Sequence, residues 1–157
     1  MRYFLLLAFG ALLIAPSALA QSDTQTINVT VPSVELLDVI PASLSMTLAA
    51  PATVGDSLTA TDASSSYSVF VNTAANKITG AITVDAFDEV VLYTSLAAPG
   101  GATSAGQKRL TATARDLVTG VATVQASGLG ISYTAKAPAT LAAGNYSGTI
   151  TYTIADE

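Results

Sequence analysis

Thr149-Ile150-Thr151-Tyr152-Thr153-Ile154 puts Ile150, Tyr152 and Ile154 on one side of an extended chain and threonines on the other. Successive side chains of an extended backbone point to opposite faces, so this alternation of branched, aromatic and hydroxyl residues reads as a half-buried β-strand. The same pattern recurs near the other end, where Ile27, Val29 and Val31 interleave with Thr26, Asn28 and Thr30. Between them, residues 34–40, 44–48, 67–72, 77–84, 89–94, 109–114, 121–125 and 130–135 are short runs rich in strand formers. About ten short strands separated by turn residues indicate an all-β sandwich or barrel.

The punctuation fits. Pro32, Pro41, Pro51, Pro99 and Pro138 fall between or at the edges of these runs, where a missing amide hydrogen costs little. Residues 97–107, AAPGGATSAGQ, read as an exposed loop, and so does the polar stretch 63–66 after the turn acids Asp56 and Asp62. Helical periodicity is weak beyond residue 20; its best stretch, 112–118, is short and closes at Gly120. The expected fold is an immunoglobulin-like antiparallel β-sandwich, with a closed β-barrel as the alternative.

Residues 1–20, MRYFLLLAFGALLIAPSALA, carry Arg2, an apolar run over 4–14, Pro16 and the small-residue site Ala18-Leu19-Ala20. This is the layout of a cleaved secretion signal. The apolar run is short for a membrane span, which needs about 20 residues. Three segments follow: a signal over 1–20, an N-terminal strand over 21–31 and a β-sandwich over 32–157. The expected location is extracellular or at the cell surface, with no stable membrane insertion after cleavage.

Composition narrows the chemistry. The chain has no histidine, cysteine or tryptophan, 11% charged residues and a formal charge of -5. Without imidazole or thiolate there is no Ser-His-acid triad, common zinc site or disulfide framework. No enzyme and no cofactor are expected. Lys108 and Arg109 are the only adjacent basic pair, so nucleic acid and anionic lipid are not expected partners. A lysine–asparagine amide crosslink would need Lys77, Lys108 or Lys136 beside an asparagine and a buried acid, and the spacing selects no such trio.

Asp85, Asp88 and Glu89 cluster in VDAFDEVV. They read as a charged turn between strands, with a calcium site or a carboxylate pair as the chemical alternatives. Asn28-Val-Thr30 and Asn145-Tyr-Ser147 match the glycosylation sequon, a pattern that threonine-rich strands also produce by chance. Tyr133, Tyr146 and Tyr152 suit core or cross-strand packing better than a sugar platform.

The two ends carry the functional reading. Gly144-Asn-Tyr-Ser-Gly148 turns into the last strand, which no tail is expected to cover; the polar leader 21–25 precedes Ile27, Val29 and Val31, and Pro32 sets these apart from the body. A separable strand of this kind can complete a neighbour's sheet, main-chain hydrogen bonds giving affinity and alternate side chains filling pockets. It can equally pair within its own domain. Repeated head to tail between copies, donation builds an open filament.

AGNYSGTITYTI, residues 143–154, resembles the closing strand of secreted bacterial fimbrial and spore-coat-U-like subunits, and the ending of WxL-type surface domains; GLGISYTAKAPATL over 128–141 adds to the likeness. The resemblance implies an immunoglobulin-like subunit of a surface structure, and similar subunits assemble by strand donation. This chain departs from them in having neither the cysteine pair of many fimbrial subunits nor tryptophan motifs, and Tyr152 lies several residues from the end. Dependence on a chaperone or usher is therefore not carried over. The expectation is a structural subunit of an extracellular filament or surface assembly, with Ile27, Val29 and Val31 as the subunit-contacting strand. The alternative is a monomeric adhesion or carbohydrate-binding module using the acids at 85–89.

Overall fold

Ser65, Tyr67, Val69 and Val71 turn inward while Ser66, Ser68 and Phe70 do not, and the same alternation holds through Asn76, Ile78, Gly80 and Ile82. A computed structural model describes residues 21–83 and 89–157. The chain divides between Val31 and Pro32 into two units. Among the described residues there are strands and no helices. The strands are β1 (Glu35–Ile40), β2 (Leu58–Val71), β3 (Asn76–Ile82), β4 (Val91–Leu96), β5 (Thr103–Ser104), β6 (Lys108–Arg109), β7 (Arg115–Val121), β8 (Val124–Ala137) and β9 (Ile150–Asp156).

These strands form a five-stranded sheet, in the order β1-β2-β8-β4-β6, and a four-stranded sheet, β5-β7-β3-β9. Every ladder is antiparallel. The sheets do not close on themselves, so the architecture is a β-sandwich and not a barrel. Tyr67, Leu96 and Ile131 from the first sheet meet Ile78, Leu117 and Val118 from the second, all almost fully buried. Each such side chain contributes about 1.5–3 kcal/mol by leaving water. With no disulfide available, this packing and the ladders hold the body together.

Several sequence expectations change, and the run 97–107, read as an exposed loop, contains the short strand β5. Residues 63–66 lie inside β2 and are not a loop. The register shifts between Asp62 and Ser65, and Ser64 donates both its N–H and its hydroxyl to Asp62 Oδ1, at 2.9 and 2.8 Å. This bulge, not a chain reversal, accounts for the polar run.

Residues 112–118 contain no helix; β7 begins at Arg115. A register shift against β3 leaves consecutive Leu117 and Val118 both buried, which breaks the period of two that would have announced a strand.

In 109–114 only Arg109 belongs to a strand. The backbone continues beside β4 as far as the bond from Leu110 N–H to Leu92 O, at 2.8 Å. Residues 44–48 form no strand either; Met46 and Leu48 pack against the core, and just beyond them Ala49 bridges Thr59 of β2. Runs 121–125 and 130–135 resolve into the end of β7 and the single long strand β8.

Candidate functional site

The sandwich has edges of unequal length. β5 and β6 are two residues each, whereas β1 has six and β9 seven. A long edge exposes a row of unpaired N–H and C=O groups on which another strand can form. Among the described residues β1 and β9 each pair on one side only, with β2 and β3 respectively, and they lie close to one another on the same flank of the sandwich.

Their inward side chains are incompletely covered. Leu37 and Val39 of β1, with Ile150, Tyr152 and Ile154 of β9, are half-buried and pack on the edge of the core. The alternation seen at 150–154 in the sequence therefore faces the core as expected. β1 carries its own deterrents to uncontrolled pairing in Glu35 and Asp38, and Pro41 follows it directly.

Residues 21–31 belong to no strand. The strand expected over 26–31 thus has no ladder among the described residues. Ile27, Val29 and Val31 are 76%, 81% and 77% exposed. Three branched apolar side chains in water are an unusual arrangement for a sequence with strong strand preference.

The entrance to the body is pinned by Asn72, a contact that sequence reading missed. Val34 N–H donates to Asn72 Oδ1 at 2.7 Å, Asn72 Nδ2 donates to Pro32 O at 2.8 Å, and Asn72 N–H donates to Val34 O at 3.2 Å. One side-chain amide thereby satisfies groups on both sides of Ser33 and fixes where β1 starts. The only advance signal was an asparagine at the end of a strand pattern.

Between the sheets lies a small polar cluster. Tyr133 of β8 and Tyr152 of β9 share a hydroxyl–hydroxyl hydrogen bond of 2.8 Å. Burial pushes both phenols above their ordinary range, and for Tyr133 the bond to Tyr152 adds to the effect. Tyr67 is pushed to about 12 by burial alone, and its hydroxyl donates to Ala97 O. Fully buried Asn76 donates from Nδ2 to Thr73 Oγ1 at 2.9 Å, while its Oδ1 finds no hydrogen-bond partner among the described residues. The Tyr133–Tyr152 bond ties the two layers together, and Tyr67 and Tyr133 are buried in the core. Tyr146 is exposed, its hydroxyl bonded to Ala142 O at 2.8 Å.

Asp85 and Asp88 lie outside the described residues, as does the signal read at 1–20; Glu89 is exposed in a turn. Among the described residues no cluster of acids is placed to hold a metal ion. Lys77 pairs with Asp116 across the β3–β7 ladder, Nζ to Oδ1 3.2 Å. A shallow open groove of about 360 Å³ is lined by Ala63, Ser95, Gly130 and Ser132 of the five-stranded sheet and Ser104 of β5, among others. It holds neither an acid nor a base.

Compared with known proteins, the chain matches no family model, no curated protein and no solved structure.

Proposed function

We propose that this protein is a secreted structural subunit of an extracellular filament or cell-surface assembly, and that copies join head to tail by donating residues 26–31 as a β-strand. The observation that carries this reading is the state of Ile27, Val29 and Val31: exposed, alternating and without a ladder among the described residues. The body from Pro32 onward forms its ladders from its own strands, so the segment is free to serve another subunit.

The receiving surface is the flank with the long edges β1 and β9. A strand added there gains main-chain hydrogen bonds, while its alternate side chains cover Leu37, Val39, Ile150 and Ile154. Because giving and receiving surfaces differ, the contact is heterologous and repeats without closing. The leader at 1–20 supports secretion, and the resemblance of 143–154 to surface-subunit endings supports the same role.

Replacing Ile27, Val29 and Val31 together by aspartate tests it. Polymers seen by electron microscopy disappear while the melting temperature of the body stays within a few degrees. Unchanged fibres, or loss of the folded body, defeat the proposal.

A further inference from the structure

Leu36, Asp38 and Ile40 of β1 face outward opposite Phe70, Ser68 and Ser66 of β2, since Leu37 and Val39 take the inward positions. Leu36 is 61% and Ile40 58% exposed, so this corner of the five-stranded sheet is apolar with one carboxylate at its centre. The corner diagonally across the same face has the opposite character. Tyr93 of β4 sits between Arg109 of β6 and Thr134 of β8. Lys136 Nζ stands 5.8 Å from the Tyr93 ring centroid, and Gln107 Nε2 donates to Thr134 Oγ1 at 3.1 Å.

In a chain of net charge -5, this second corner concentrates two cations around an aromatic ring, neither with an acid partner among the described residues. Along β2, Ser68 marks the first corner and Thr61, opposite Thr134, the second; at ~3.3 Å per residue they are about 23 Å apart. The surface between them carries Thr61, Ser66, Gly130 and Ser132, none large enough to hold an approaching surface away.

We propose that this outer face binds a second copy of the chain in a two-fold pairing that sets each Asp38 corner against the partner copy's Tyr93 corner. A two-fold axis lying between the facing copies, perpendicular to the line joining the corners, makes both matches at once. Asp38 then meets Arg109 and Lys136, and Leu36 and Ile40 lie against the Tyr93 ring. Charge complementarity selects the copy and its orientation, while the apolar contacts remove Leu36 and Ile40 from water. The pairing closes on itself, uses the outer face and not the flank, and does not depend on strand donation. In a filament it joins two strands side by side.

Sedimentation velocity on the secreted chain tests this, both unmodified and with Ile27, Val29 and Val31 changed to aspartate so that donation is separated from pairing. In the latter background a monomer–dimer equilibrium is expected, weakened by salt near 1 M, where the screening length falls to about 3 Å. Asp38→Lys weakens dimerisation about tenfold or more, as does Arg109→Asp with Lys136→Asp, and combining all three restores it. These exposed positions leave the fold intact, checked by each variant's melting temperature. Absence of a dimer, failure of the combined charge swap to restore it, or an effect of the basic reversals without one of Asp38→Lys overturns the proposal. The last result points to a different anionic partner.

Discussion

The hydroxyls of Tyr133 and Tyr152 meet at 2.8 Å between the sheets, joining β8 to β9 through side chains alone. β9 is an edge strand with one ladder, to β3, so this bond is a second, independent tie between it and the rest of the sandwich. Tyr133→Phe and Tyr152→Phe each remove the pair and cost about 1 kcal/mol in chemical denaturation. The double variant costs less than the two single changes together, because either change already breaks the same bond.

Buried phenols also set an alkaline limit. Tyr67 keeps its proton to about pH 12 in the folded chain, against an ordinary 10.0. Its contribution is fully present below pH 10; above that the unfolded chain releases the proton first and stability falls, with the loss complete near pH 12. Tyr133 and Tyr152 are shifted in the same direction. Denaturation midpoints should be flat in this respect below pH 10 and drop above it, and Tyr67→Phe should make the drop shallower.

Gly80 has no room for a side chain. A Cβ there comes within 2.7 Å of Leu117 Cδ1 and 3.2 Å of Leu110 Cδ2, and both leucines are buried. Gly80→Ala is expected to destabilise by about 1–3 kcal/mol. Adding Leu117→Ala should cost less than the sum of the separate changes, because the clash disappears with the leucine side chain.

Asn72→Ala removes the amide that holds Pro32 and Val34. The expected cost is about 1–2 kcal/mol, with faster amide exchange at Val34. A loss of polymer length with little loss of body stability would place this clamp in the service of assembly.

The sandwich was legible where burial follows a strict period of two, as at Ile150, Tyr152 and Ile154 or at Tyr67, Val69 and Val71. It became illegible at irregularities. The bulge at Asp62–Ser65 disguised the first half of β2 as loop, and adjacent buried Leu117 and Val118 hid the strand period of β7. At 26–31 local preference alone indicated a strand, but a ladder needs a partner, and no pattern in the chain states where that partner is. The cluster around Tyr93 was out of reach for another reason: Tyr93, Arg109, Thr134 and Lys136 become neighbours only through the order β8-β4-β6.

The absence of native cysteine allows the central claim to be tested with engineered disulfides. Val29→Cys is combined in turn with Val39→Cys on β1 and with Ile154→Cys on β9, and the oxidised protein is run on a non-reducing gel. Strand donation gives a ladder of covalent multimers from at least one pair, reversed by reductant. A monomer bridged within its own chain, or no bridge from either pair, contradicts donation at this flank.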